Sequence, residues 1–288
     1  MAADIWSEWL LKRRFGGDAT QATQLLDRLH PVRDRVLTGA ALKSNETLLD
    51  VGCGDGLIAF GALQNHPAVK VIFSDVSAEL LSHARQLAAD TQLLDRCEFV
   101  EASADDLSAI RDSSVDAVTF RSVLIYVDRK DAALRESYRV LKPGGRVSMF
   151  EPINIFNLDQ PETTFWGLDV SPLIEVANKL KARIRVLQPP DSDPMLNFDE
   201  RDLLRFVEDA GFRNVAMDYE VLIGQWPEMD WSTLMNAAPH PKLPTWEEWM
   251  NEVLTPTEKS ALIAHIRPQV EQRQGRSRSA QVYLRATK

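Results

Sequence analysis

The sequence predicts an α/β fold on a mostly parallel sheet, and three features carry that expectation. Short apolar runs alternate with segments of helical apolar spacing, which implies parallel strands joined by right-handed crossovers. The first run, Leu48-Leu49-Asp50-Val51, enters a loop with glycine at every second position, Gly52-Cys53-Gly54-Asp55-Gly56, and a helix opens from Leu57. The 288 residues are 44% hydrophobic and 26% charged, the composition of a chain that buries a sizeable core.

The glycine loop is the most informative stretch. Glycine admits positive φ and lets a ligand meet bare backbone, while the N–H groups at the helix start have no partner within the helix. A dinucleotide fingerprint needs a third glycine where this chain has Leu57, and a nucleoside triphosphate loop needs a Lys followed by Ser or Thr that is missing here. Asp50 enters the loop and Asp55 sits inside it. This pair repels a pyrophosphate but suits a ligand with an ammonium and a sulfonium, as S-adenosyl-L-methionine has.

Further landmarks follow in order. The strand Val69 to Phe73 ends in Ser74-Asp75, with Asp75 placed 23 positions after Gly52, near the roughly 20 expected of an acidic residue that bonds ribose hydroxyls. Then come Phe99-Val100-Glu101-Ala102-Ser103-Ala104-Asp105-Asp106-Leu107, the strand Val115 to Phe120 running into Arg121-Ser122-Val123-Leu124, and Leu141-Lys142-Pro143-Gly144-Gly145-Arg146 before a last core strand ending at Glu151. On these motifs residues 46–151 resemble the core of the class I S-adenosylmethionine-dependent methyltransferases.

The resemblance implies a Rossmann-like, doubly wound, seven-stranded, mostly parallel sheet with an antiparallel last strand. It also implies that Asp50, Gly52, Cys53, Gly54, Asp75, Val76, Ser103, Ala104, Arg121 and Ser122 hold the cofactor. Ser103 stands where many relatives have an Asp that accepts the adenine amino group; its hydroxyl can accept too, with the Ala104 backbone and Asp105 as substitutes.

Around the core, residues 1–45 read as a helical lead. Ile5, Trp6, Trp9, Leu10 and Leu11 share roughly one helix side, and Arg13-Arg14-Phe15-Gly16-Gly17 ends that helix. Asp18 is placed to cap a second helix carrying Ala22, Leu25, Leu26 and Leu29. Such leading helices commonly cover the cofactor pocket in this family, so the first is read either as sheet-edge packing or as a lid in which Trp6 or Arg14 touches ligand.

Within the core, Ser77 caps one helix and Asp131 to Leu141 forms another. Ligands gather at the strand carboxyl ends, which sets Gly52, Asp75, Ser103, Arg121 and Glu151 on one rim. Residues 152–198 read as an insertion over the acceptor site, with a helix capped by Ser171, carrying Pro172 in its first turn and running through Leu180. Residues 199–288 return to the sheet. A helix capped by Asp199 stops at Gly211, a strand spans Val215 to Leu222, and an excursion over 224–275 carries two capping boxes, Thr245 with Glu248 and Thr255 with Glu258. Ser279 to Ala286 alternates like a strand, which in this family inserts antiparallel.

Methyl transfer from a sulfonium expels a neutral leaving group, so positioning and water exclusion can supply much of the catalysis. Where a base is needed, Glu151 and Tyr126 are the candidates on the rim, with His240 and Asp169 from the insertions. Glu151 is equally suited to hold loop backbone at the strand exit. Arg121 has three candidate partners: the cofactor carboxylate, an acceptor anion, or Asp116 or Asp128. Trp166, Trp226, Trp231, Trp246 and Trp249 either wall an apolar or aromatic acceptor or fill the core of a small cap.

The expected function is methylation of a small organic acceptor. The alternative is a non-catalytic protein that binds S-adenosylmethionine or S-adenosylhomocysteine. The net charge of −9 disfavours a nucleic-acid substrate, apart from local arginines between Arg267 and Arg278 that read as a solvated surface. Two cysteines, Cys53 and Cys97, give neither a zinc spacing nor a disulfide framework, so no metal is expected. With no leader-like start and no membrane-length apolar run, a cytoplasmic protein is expected.

Overall fold

The structure, a computed structural model, describes residues 4–14 and 19–288, with side chains for 4–14 and from residue 29 onward. Nine strands are described: β1 (Thr47–Val51), β2 (Lys70–Asp75), β3 (Cys97–Glu101), β4 (Val115–Arg121), β5 (Leu141–Pro152), β6 (Thr164–Phe165), β7 (Leu168–Asp169), β8 (Arg213–Gln225) and β9 (Arg276–Thr287). Seven of them form one sheet in the order β3-β2-β1-β4-β5-β9-β8, and β6 and β7 form a separate hairpin. β1 to β5 are parallel, and β9 lies antiparallel to both of its neighbours. This is the expected doubly wound sheet with its last strand reversed.

Side-chain alternation along β1 shows why the sheet needs cover on both faces. Leu49 and Val51 join one apolar layer, packed with Leu134 and Leu203 from the helices Lys130–Val140 and Glu200–Asp209. Leu48 joins the opposite layer with Val36, Ala59 and Ala84 from the helices Ala19–Ala40, Leu57–Asn65 and Ala78–Asp90. A period of two residues sends neighbours to opposite faces, so a run of consecutive apolar residues buries both.

A third apolar cluster lies in the two excursions. Phe165, Leu168, Ala177 and Leu180 pack with Trp226, Trp246, Trp249, Leu262 and Ile266, so residues from 152–198 and 224–275 share one cap core. Both capping boxes in the second excursion form, and Asp199 forms another with Asp202.

Several local expectations are corrected. Ser171 does not cap a helix: it opens a 3₁₀ turn, Ser171–Leu173, and the helix proper runs Ile174–Leu187. The predicted helix to Leu141 ends at Val140, because Leu141 pairs with Val115 as strand. β8 extends past both predicted ends. Asp18 lies outside the described residues, as do the side chains of Ala22, Leu25 and Leu26. Among the described residues, no helix is long and apolar enough to cross a membrane.

Candidate functional site

At the carboxyl ends of β1, β2 and β4 lies a cavity of about 820 Å³, lined in part by Gly52, Gly54, Asp75, Val76, Ser103, Ala104, Arg121, Ser122 and Tyr126. Its floor is the glycine loop. Gly52 has φ +61°, and a Cβ there would stand 2.6 Å from Val123 Cγ2. Gly54 has φ +54°, and a Cβ on it would meet Leu10 at 3.2 Å. Gly52→Ala is therefore expected to cost about 2 kcal/mol of stability from left-handed strain plus the clash, read by denaturant unfolding, whereas an unchanged midpoint would refute this close packing.

Asp75 closes one side of the floor. Its Oδ2 accepts from Gly54 N at 2.8 Å and its Oδ1 from Ser77 N at 2.9 Å. Burial raises its pKa, against the opposing effect of those backbone donors. Ser77 caps the next helix through Leu80 N, and its hydroxyl donates to Asp4 Oδ2 at 2.6 Å.

Two predicted cofactor residues sit behind the floor. Asp50 is buried, accepting from Thr119 Oγ1 at 2.8 Å and Ala59 N at 3.2 Å. Burial pushes its pKa up to about 7. It ties the strand end to the helix that follows the loop, and its side chain does not line the cavity. Cys53 likewise turns its side chain into the apolar layer, where burial raises the thiol pKa well above its usual value. That leaves no reactive thiolate there.

Glu151 also lies outside the cavity lining. It is fully buried, with Oε1 accepting from Val123 N at 2.9 Å and Leu124 N at 3.0 Å and Oε2 from Ile125 N at 3.4 Å. The carboxyl holds the turn Leu124–Tyr126 that follows β4, so the catalytic expectation gives way to the loop-holding one. Burial pushes its pKa up to about 7. Just before that turn Ser122 takes φ +56°, and its N–H donates to Phe150 O at 2.8 Å. A non-glycine left-handed residue persists where its neighbours over-determine it, and the bonds from Phe150 and Glu151 do so here.

Tyr126 does reach the cavity. Trp6 packs edge-on to it with centroids 5.0 Å apart, Trp9 stands at 6.5 Å and His240 at 5.5 Å. Burial pushes the phenol up to about 12 and lowers His240 to about 4. His240 Nδ1 accepts from Lys242 N at 3.0 Å, so the neutral ring carries its proton on Nε2 and is no base towards the cavity. Asp169 is exposed, bonded to Ser171, and does not line the cavity.

The aromatic wall comes from an unexpected source. Trp226, Trp246 and Trp249 are buried in the cap core and Trp166 is exposed. None of the five insertion tryptophans lines the cavity, whereas Trp6, Trp9, Leu10 and Arg14 from the lead segment do. That segment straps core to cap. Ser7 Oγ donates to Glu79 at 2.7 Å on the core side, while Trp9 Nε1 donates to Ala238 O at 2.8 Å and Arg13 meets Glu248 at 2.6 Å on the cap side. The expected single apolar stripe splits, leaving Ile5 and Leu11 exposed. Met195, Met229 and Thr233 complete the wall, and no motif in the sequence marked them.

Ser103 donates to Asp105 Oδ1, and Asp105 accepts from Arg129 Nε at 2.9 Å, so a carboxylate stands beside the serine that replaces the usual acid. The bare glycine floor and the partly committed Asp75 fit a nucleoside carrying a cationic sulfur, while Asp55, whose buried Oδ1 has no hydrogen bond, lies outside the lining.

Comparison with known proteins agrees. Residues 49–149 match the methyltransferase domain family. The chain carries a class I S-adenosylmethionine-dependent methyltransferase domain, and S-adenosylmethionine is the cofactor of that class. Among curated proteins it is similar to the ubiquinone/menaquinone biosynthesis C-methyltransferase UbiE of Brucella anthropi, 42% identical over 106 residues, 36% of this chain and 40% of that protein. The UbiE of Cereibacter sphaeroides is 34% identical over 119 residues, covering 41% and 47%. The chain thus spans less than half the length of the curated relatives it matches. The YcgJ protein of Bacillus subtilis shares the fold at a TM-score of 0.55 and 17% identity, over 90% of this chain and 98% of that one.

Proposed function

We propose that the protein transfers a methyl group from S-adenosylmethionine to a small, apolar or aromatic organic acceptor. One observation carries this reading: a single cavity is lined both by the glycine loop with Asp75 and by Trp6, Trp9, Tyr126, Met195 and Met229. The donor supplies an activated methyl group. The chain's own residues bind, orient and exclude water; Glu151 and His240 lie outside the lining, and Tyr126 is the candidate base that reaches the cavity.

In this reading Gly52, Gly54, Asp75, Val76, Ser103, Ala104 and Ser122 contact the cofactor. Asp50 and Cys53 support the loop from behind, and residues 4–14 form a cover. The acceptor lies under the segments 152–198 and 224–275, which supply Asn154, Met195, Met229 and Thr233 to the lining. The part the UbiE relatives play in ubiquinone/menaquinone biosynthesis makes quinone-type compounds the first acceptors to try.

Isothermal titration is expected to show S-adenosylmethionine and S-adenosylhomocysteine binding, with S-adenosylhomocysteine released when an acceptor is turned over. Folded protein that gives no heat with either compound refutes the reading. Binding without release from any acceptor of a broad panel would point to the non-catalytic alternative.

A further inference from the structure

We propose that two copies of the chain join edge to edge, with β8 pairing antiparallel to the β8 of a second copy about a two-fold axis beside Val221. β8 is the outer strand of the large sheet, and among the described residues β9 is its only neighbour. Among those residues the backbone of 217–224 bonds to β9 and to nothing else. The outward N–H and C=O groups along it therefore have no partner within the chain, which makes the edge a template for a further strand.

Sheet edges are guarded against pairing by proline, lysine, bulges or free charges. The stretch 217–225 has neither proline nor lysine, and the bulge in β8 lies before it, between Arg213 and Ala216. Its two acids are already answered from inside the molecule. Arg35, on the helix Ala19–Ala40, donates to both Asp218 and Glu220, and Gln281 of β9 donates to Glu220 Oε2 at 2.9 Å. What remains exposed is apolar: Val221, Leu222 and Ile223 are 42%, 53% and 52% accessible. Consecutive strand residues point to opposite faces, so this edge is apolar on both.

Charge and register make a second copy the occupant. A two-fold axis normal to the sheet keeps each face on its own side, so the strand meets itself with the axis beside one residue. Beside Tyr219, the axis sets Asp218 against Glu220 of the second copy; beside Asp218 or Glu220, it sets an acid against itself. Beside Met217 it carries the pairing into the bulge and leaves Leu222 and Ile223 uncovered. Beside Val221, by contrast, Val221 meets itself, Tyr219 meets Ile223, Glu220 meets Leu222 and Asp218 meets Gly224. No like charges are opposed, and one face gains a continuous ladder of aromatic and β-branched pairs. Moving the axis on to Leu222 shortens the paired stretch from 217–225 to 219–225, because β8 ends at Gln225.

None of the residues of β8 lines the cavity, so the edge can be altered apart from the cofactor site. Sedimentation velocity on the full chain, from about 1 µM to about 200 µM, is expected to show monomer and dimer in exchange, since a strand pair is at the small end of specific interfaces. Val221→Lys sets two cations against each other at the axis, and Ile223→Lys removes the pairs with Tyr219. Each should raise the dimer dissociation constant at least about 10-fold, with the unfolding midpoint and S-adenosylhomocysteine binding unchanged. Mild oxidation of Val221→Cys should give a disulfide-bonded dimer, because directly opposed side chains stand within reach of a disulfide. Ile223→Cys, displaced along the strand from its own copy, should give none; the wild type, with Cys53 and Cys97, supplies the background.

Three outcomes overturn the proposal: the wild type stays monomeric across that range, both lysine variants dimerise with undiminished affinity, or Val221→Cys bridges no faster than Ile223→Cys. Each of these results leaves the methyltransferase reading as it stands, because the cavity is untouched.

Discussion

Glu151→Ala is expected to lower the unfolding free energy by about 3 kcal/mol at neutral pH. Three N–H groups lose their acceptor, those of Leu124 and Ile125 buried and that of Val123 partly so. Each orphaned donor costs about 1–3 kcal/mol, partly offset by no longer burying a carboxyl group. Glu151→Gln keeps an acceptor oxygen and should lose less. Because the side chain lies outside the cavity lining, folded Glu151→Gln protein should still bind S-adenosylhomocysteine and turn over an acceptor. A stable Gln variant that binds normally but has lost turnover would restore Glu151 as a base.

The same residue sets a pH signature. Its carboxyl titrates near 7 in the fold against 4.5 unfolded, so between those values the folded state holds more protons. Stability therefore falls as pH rises through that window, by about 3 kcal/mol for this group. Asp50, raised from 3.8 to about 7 by burial, acts in the same direction. Denaturant midpoints measured from pH 4 to pH 8 should show the slope reduced in Glu151→Gln, with the contribution of Asp50 remaining; an unchanged slope would contradict the assignment.

Asp75→Ala is expected to weaken S-adenosylhomocysteine by about 100-fold. A carboxylate offers about four acceptor positions. Gly54 N and Ser77 N occupy two, which leaves two for ligand hydroxyls. Removing it loses ligand bonds of about 1.5–3 kcal/mol each and also releases the Gly54 backbone that forms the floor. Titration calorimetry on folded variant protein measures this, and an unchanged affinity would remove Asp75 from the cofactor site.

How far the site could be read from the chain varied with the physics involved. Gly52 and Gly54 were legible because a strand-loop-helix turn imposes their spacing, Asp75 from its distance after Gly52 and Ser103 from the family resemblance, and each lines the cavity. Asp50 and Cys53 belong to the same motif, but Asp50 is taken by Thr119 and Ala59 behind the floor and Cys53 packs in the apolar layer, which local spacing does not show. The tryptophans misled because bulky residues serve a cap core and a ligand wall equally well. Trp226, Trp246 and Trp249 fill the core, while Trp6 and Trp9, about 230 residues away from Ala238 in the chain, form the wall.

By itself the sequence determined the parallel strands with their crossover helices and the glycine floor, because these follow from periodicity and from backbone conformations that few residues tolerate; the seven strands and the reversed last one came with the family resemblance. Only the tertiary structure decided that Glu151 faces three backbone donors, that the strap closes the cavity from afar, and that Arg121 and Arg14 share one space. Those facts are contacts between distant segments, and local propensity carries no information about which segments meet.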